Sequence, residues 1–259
     1  MRAIVLDSYG GPEVLSMADV PEPVPGPDEV LVQVAATAVN RADLLQRMGL
    51  YPGPPMDHEI PGLEFAGTVA GTGARVTERA VGDLVMGVVG GGAYAEQLVV
   101  HERQTMAVPA SVGLPDAGAI PEVAITAYDA LVLQGGLTAG GWALVHAGAS
   151  GVGTAAIQLV HAVGARVVVT CSSSKVDACR ALGADVVVDY TSEDFVTAVQ
   201  EATDGRGVDV VLDVIGGEYV ARNLRSCRVG GTIVQVGIMG GGAAEVPVGL
   251  LLTRRVRWV

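Results

Sequence analysis

The stretch Trp142-Ala-Leu-Val-His-Ala-Gly-Ala-Ser-Gly-Val-Gly-Thr-Ala-Ala156 decides the fold. An apolar strand runs into a glycine-rich turn, and the turn opens a helix. Gly148 is expected to take backbone angles that other residues avoid. Ser150 and Gly151 let the chain approach a pyrophosphate, and Gly153 permits close packing of helix on strand. The first N–H groups of the helix, Val152 included, have no carbonyl partner within it, and with the helix dipole behind them they suit a diphosphate. Two registers are open. Gly148, Ser150 and Gly153 match G-x-G-x-x-G with serine at the centre; Gly151, Gly153 and Ala156 match G-x-G-x-x-A. A tight turn without a ligand is the alternative, but the strand–turn–helix setting is the one the dinucleotide motif requires.

Outward from this turn the pattern alternates. A helical run covers 116–134. Then come strand 142–147, helix 151–163, strand 166–171, helix 175–182, strand 185–189, helix 193–203, strand 208–214, helix 218–226, strand 232–236 and a last strand at 255–259. Strict alternation with short links predicts a doubly wound parallel sheet, and runs such as Val167–Val169 and Val186–Val188 suit strands buried on both faces. Residues 1–115 read differently, as short alternating strands at 30–39, 63–70, 83–89 and 94–100. Pro/Gly-rich turns separate them, with one helix at 41–48 behind an N-cap Asn40. The expected class is α/β, with a β-rich domain over 1–115 and a Rossmann domain over 116–259.

Half of the residues are hydrophobic, 17% are charged and the net charge is −12. An acidic body disfavours nucleic acid and anionic membrane surfaces as partners. Arg254, Arg255 and Arg257 form the one dense basic run and read as a solvated strand edge. Cys171, Cys179 and Cys227 lack metal-ligand spacing and fit a reducing, cytoplasmic setting. The four histidines are scattered, so no metal site is expected. His146, inside the first Rossmann strand, reads as a satisfied core histidine. No Gly-x-Ser-x-Gly elbow supports a hydrolase.

The second strand leads into Cys171-Ser-Ser-Ser-Lys175. An NAD site places a carboxylate there for the ribose 2′-hydroxyl; no carboxylate is near in sequence. Ser172, Ser173 and Lys175 would instead attract a 2′-phosphate, which predicts NADPH over NADH. Capping of the next helix by the serines is the other reading, and both can hold.

The segments "GGPEVL", "AVNRADLLQRMGLYP", "IPGLEFAGTV", "VGDLVMGVVGGGAYAEQLVV", "AIPEVAITAYDAL" and "HAGASGVGTAAIQL" resemble the zinc-free, zeta-crystallin-like quinone oxidoreductases. These belong to the medium-chain dehydrogenase/reductase superfamily. The resemblance spans essentially the whole chain. It implies a GroES-like catalytic domain, a Rossmann domain and a cleft between them. Where zinc-bearing relatives carry Gly-His-Glu, this chain has Gly62-Leu63-Glu64.

Carried over by motif, Asn40, Asp43 and Tyr51 are expected near nicotinamide and substrate. Thr126 is expected on the nicotinamide side, Lys175 and Tyr190 at the 2′-phosphate, and Gly237 and Met239 in a loop over the ring. Each has a plainer reading: a helix cap (Asn40), a surface charge (Asp43), packing (Tyr51, Tyr190), a helical threonine (Thr126), a flexible turn (Gly237, Met239). The implied activity is NADPH-dependent reduction of a quinone or other conjugated carbonyl. An enoyl or alkenal reductase and a non-catalytic NADPH-binding protein stand as alternatives. Family members continue past the last residue of this sequence and pair through their final Rossmann strands. The resemblance therefore implies a homodimer for a full-length relative, and leaves dimerisation and activity of this stretch open.

Overall fold

The computed structural model describes residues 1–259. The chain divides into two compact units, Met1–Glu122 and Val123–Val259.

The first unit is built on antiparallel strands. β1 (Arg2–Leu6) pairs with β2 (Leu15–Asp19). A five-stranded sheet holds β3 (Glu29–Ala36), β4 (Glu64–Thr72), β5 (Leu84–Val88), β6 (Gln97–His101) and β7 (Thr105–Ala107) in the order β6-β3-β4-β5-β7. Alternation along β3 explains its place: Val30 and Val32 are fully buried with Phe65, Val69, Val85 and Leu98, while Gln33 faces solvent. Helix α1 (Arg41–Arg47) follows β3, and a four-residue turn α2 (Leu114–Ala117) packs on β3 and β4.

The run 116–134, expected as one helix, is three pieces. Pro121 lacks the N–H that a continuous helix would use, so α2 ends and α3 (Pro121–Tyr128) starts anew. Residues Asp129–Gln134 then widen into a π turn, where Gly135 N–H donates to Ala130 O at 2.9 Å.

The second unit is a six-stranded parallel sheet. Its strands are β8 (Trp142–Val145), β9 (Arg166–Cys171), β10 (Val186–Asp189), β11 (Val208–Asp213), β12 (Cys227–Gln235) and β13 (Arg257–Trp258), in the order β10-β9-β8-β11-β12-β13. This is the doubly wound order, reversing between β8 and β11. Helices α4 (Gly151–Val163) and α5 (Val176–Ala181) cover one face, where Ala143, Val145, Val167 and Val169 meet Ile157, Val160 and Cys179. The opposite face carries α6 (Phe195–Ala202), α7 (Tyr219–Ser226) and α8 (Val248–Arg254); there Leu144 and Val168 meet Phe195, Val199 and Leu224. Alternate residues of one strand thus face opposite layers, as strand geometry requires. α8, unforeseen in the sequence, precedes the edge strand, and Arg254 of the basic run donates to Cys227 O at 3.0 Å. No helix is long and apolar enough to cross a membrane.

The glycine turn corrects one expectation. Its left-handed residue is Ala147, at φ 55, and Gly148 is not among the residues of positive φ. Gly148 is required for space: a Cβ there would lie 2.6 Å from Val169 Cβ. At Gly153 a Cβ would lie 2.4 Å from Ala147 O, so α4 rests directly on the turn. Gly148→Ala is therefore expected to lose about 1–3 kcal/mol through overpacking, whereas Ala147→Gly should stay within about 1 kcal/mol of wild type. Urea unfolding of the two variants checks this; the reverse ranking would restore the conformational reading of Gly148.

Candidate active site

In the second unit the β8–α4 turn presents an open helix end. Ser150 is the N-cap: its Oγ accepts from Gly153 N–H at 3.1 Å, and its carbonyl from Thr154 N–H at 2.8 Å. Gly151 and Val152 occupy the first two helical positions, so their N–H groups have no carbonyl inside the helix. Ser150 and Gly151 are exposed. The helix behind them is thirteen residues long. The donor edge is thus the amides of Gly151 and Val152, since the N–H groups of Ser150 and Gly153 are bonded to Ala147 O and Ser150 Oγ, and Gly148 is its packed base.

A buried chain of polar groups lies beneath that edge. Asp213, at the end of β11, accepts from the N–H groups of Ile215 (2.6 Å) and Gly216 (3.1 Å) and from Asn223 Nδ2 (2.8 Å). With its amine committed to Asp213, Asn223 offers Oδ1 to His146 Nε2 at 2.8 Å. That nitrogen must then carry the proton, leaving Nδ1 to accept from Thr170 Oγ1 at 3.0 Å. His146 is fully buried between Phe195 and Tyr219, with ring centroids 4.8 Å away on each side. Burial pushes its pKa down. Both ring nitrogens are satisfied, as the core-histidine reading required.

The rim of β9 and β10 holds the other candidates. Ser172 caps a short 3₁₀ turn, Ser173–Lys175. Lys175 is exposed, is the only lysine in the sequence and makes no ion pair. Tyr190 is exposed, and its N–H donates to Cys171 O at 3.1 Å. A carboxylate does reach this rim, contrary to the sequence reading. Asp189, at the end of the neighbouring strand, accepts from Ser173 Oγ at 2.5 Å. Position in sequence hid it, because parallel pairing sets Asp189 opposite Cys171. The loop with Gly237 and Met239 is clipped to the end of β11: Gly237 N–H donates to Asp213 O (3.2 Å) and Met239 N–H to Val214 O (3.2 Å). Met239 is exposed, and Thr126 lies half-buried on α3.

In the first unit, Asn40 is the N-cap of α1 and forms a capping box with Asp43. Its Nδ2 donates to Glu64 Oε1 at 2.7 Å. Glu64 is fully buried, and its other oxygen accepts from Glu122 N–H at 3.0 Å. Asp43 is buried as well, so it is no surface charge. Its Oδ2 accepts from Asn40 N–H (2.7 Å) and from Tyr94 Oη (2.9 Å). Burial raises the pKa of Asp43 and that of Tyr94. Tyr51, by contrast, is exposed and hydrogen bonds to neither Asn40 nor Asp43. The groups gathered around Asn40 and Asp43 are Glu64 and Tyr94. Sequence reading missed both; the only signal was a charged residue inside the apolar run Ile60–Ala70. Tyr94 and Thr37 also line an open groove of about 410 Å³ with Ala35, Ala36, Ala93 and Ala95.

Against known proteins, residues 26–110 match the model for the alcohol dehydrogenase GroES-like domain, and residues 151–259 match that for zinc-binding dehydrogenase. A quinone oxidoreductase-like protein 2 homolog of Nematostella vectensis is 32% identical over 255 residues, covering 98% of this chain and 70% of that protein. The chain belongs to the quinone oxidoreductase family of the medium-chain dehydrogenase/reductase superfamily. Within that family, the quinone oxidoreductase of Pseudomonas syringae pv. tomato superposes with a TM-score of 0.90 at 34% identity, over all of this chain and 80% of that one. The Escherichia coli quinone oxidoreductase, solved in complex with NADPH, gives 0.89 at 30% identity over the same shares. The CurK enoyl reductase gives 0.88 at 27% over 99% of this chain and 79% of that one. A putative inactive phenolphthiocerol synthesis polyketide synthase of Mycobacterium tuberculosis is 42% identical over 214 residues, 81% of this chain; the chain spans only 13% of that protein's length.

The zinc that one matched model's description names does not fit the residues present. Leu63 stands between Gly62 and Glu64, and no three His, Cys, Asp or Glu side chains converge. All three cysteines are buried, and burial pushes Cys171 and Cys227 up to about 12, which keeps them thiols rather than thiolate ligands.

Because burial holds the folded pKa of Asp43 above its ordinary 3.8, folding takes up protons over that interval, and the stability this group contributes falls as pH rises through it. The unfolding free energy of wild type minus that of Asp43→Asn is expected to decrease from about pH 4 upward and then level off. Urea titrations across pH 3.5–8 measure it. A difference that grows with pH would mean that the bonds from Asn40 and Tyr94 outweigh burial.

Proposed function

We propose that the chain is an NADPH-dependent oxidoreductase that passes reducing equivalents to a quinone or another conjugated carbonyl. The observation that carries this reading is Lys175, an exposed ammonium with no ion pair, at the end of β9 in a sheet whose first turn leaves the amides of Gly151 and Val152 open. A cation without a partner next to a strand end suits a doubly charged 2′-phosphate. The NADPH complex of the related Escherichia coli enzyme supports the same cofactor.

In this reading Gly151 and Val152 hold the diphosphate by their open amides and by the dipole of α4, with Ser150 and Gly153 shaping the turn that presents them. Gly148 packs the turn against Val169. Ser172, Lys175 and Tyr190 receive the 2′-end of the adenosine, with Ser173 beside them bonded to Asp189, and Thr126, Gly237 and Met239 border the nicotinamide. When bound, the nicotinamide supplies the reducing equivalents from C4. An acceptor oxygen gaining negative charge needs a donor. Asn40 has one: Nδ2 carries two hydrogens, Glu64 takes one and the other is left. Asp43 acts as a positioning residue, holding the Asn40 backbone and the Tyr94 hydroxyl. Tyr51, with a free exposed hydroxyl, is the second donor. None of these steps uses a metal.

A second reading, saturation of a carbon–carbon double bond conjugated to a carbonyl, is favoured by the likeness to the CurK enoyl reductase. Turnover on a quinone against turnover on an α,β-unsaturated ketone separates the two.

The first test is a titration of the purified chain with NADPH and NADH, followed by cofactor fluorescence. NADPH should bind more tightly, and Lys175→Ala should weaken NADPH about tenfold while moving NADH less than about twofold. A folded sample that binds neither cofactor would overturn the assignment. For the acceptor side, Asn40→Ala should lower turnover more than cofactor affinity; if Asn40→Ala and Tyr51→Phe both leave turnover unchanged, the donor roles are wrong.

A further inference from the structure

We propose that Asp189 is a specificity-determining residue that restrains the preference for 2′-phosphorylated dinucleotides, by binding the Ser173 hydroxyl and setting a negative charge on the rim that carries Lys175. This rests on the NADPH reading above.

The parallel pairing of β9 and β10 brings Asp189 level with Cys171, so the segments that follow, Ser172–Lys175 and Tyr190–Thr191, leave the sheet side by side. Ser173 Oγ donates to Asp189 Oδ2 at 2.5 Å. On the other oxygen, Thr191 donates twice, from its N–H at 3.0 Å and from its hydroxyl at 2.7 Å. A hydroxyl has one proton. The Ser173 proton is committed to Asp189, so Ser173 is no longer a donor for a phosphate. The Ser192 side chain bonds to the same carboxylate, so Asp189 is a charge held on the rim by its own neighbours.

The charges on this rim point the same way. Glu193 Oε2 accepts from the backbone N–H of Asp189 at 2.7 Å. Asp177, two residues beyond Lys175, pairs with Arg180 at 3.5 Å. Lys175 makes no ion pair, and Asp189 and Glu193 stand on the neighbouring strand end and the turn that follows it. The hydrogen bond from Ser173 also holds the Asp189 carboxyl below the usual carboxylate range, so its charge persists wherever the cofactor's phosphate is ionised. A doubly negative 2′-phosphate drawn to Lys175 is repelled by the Asp189 carboxylate; an uncharged 2′-hydroxyl is not.

Asparagine at 189 reverses both effects. Its oxygen still accepts from Thr191, its amide donates to Ser173 Oγ, and the Ser173 proton turns outward to the ligand. The test is calorimetric titration of wild type and Asp189→Asn with 2′-phospho-ADP-ribose and with ADP-ribose. Asp189→Asn should tighten the phosphorylated probe about tenfold and move the other less than about twofold. In a Ser173→Ala background the gain should shrink to about threefold, because only the charge is then removed. Asp189→Ser, which removes the charge with a smaller side chain, should shift the ratio of affinities in the same direction. An unchanged ratio in both Asp189 variants, with the phosphorylated probe still bound, overturns the role of Asp189 and leaves the NADPH reading standing. Failure of both probes to bind folded wild type overturns the two together.

Discussion

The chain from Asp213 through Asn223 and His146 to Thr170 ties the ends of β11, β8 and β9 to helix α7. Every member is buried, so each polar atom must find a partner or lose solvation without return. The geometry allows one assignment of protons. Asp213 only accepts here, Asn223 must donate with its amine, and His146 must carry its proton on Nε2. The carbonyl-side loops then have little freedom. Asp213 itself holds Ile215 and Gly216, and its backbone holds Val236 and Gly237. The loop bearing Met239 is anchored by the same residue that ends the network. Removing one member would leave its neighbour buried and unpaired, which is more damaging than never having built the pair.

On this fixed floor the glycine turn needs only space and an open helix end. Val169 crowds Gly148, the carbonyl of Ala147 crowds Gly153, and Ser150 satisfies one amide while leaving the next two exposed. The first unit follows a similar logic with a different group at its centre. There the buried Glu64 orders Asn40 on one side and the Glu122 amide on the other, so each of its two oxygens has an amide donor.

Much of this was legible in the sequence. Helix 151–163 and strand 166–171 were read to the residue, because an apolar run, a serine cap and a closing Gly164 mark them locally. The alternation that gave the parallel sheet is equally local. What escaped depends on distance. Asp189 lies sixteen residues from Ser173 and meets it only through sheet pairing. Glu64 and Tyr94 converge on the start of α1 from two different strands and loops. The break at Pro121 was visible and under-weighted against the apolar content of 116–134. The conformation of Gly148 was misassigned because a motif marks where a side chain is excluded without saying whether angle or volume excludes it.

The basic residues of this chain are fifteen arginines and a single lysine. Among the side chains of these 259 residues, amine-directed chemistry therefore has one address, the rim of β9. Coupling the protein to a surface through amines would anchor it by that rim and hide the adenosine end of the proposed site. An arginine- or carboxyl-directed attachment would leave it open.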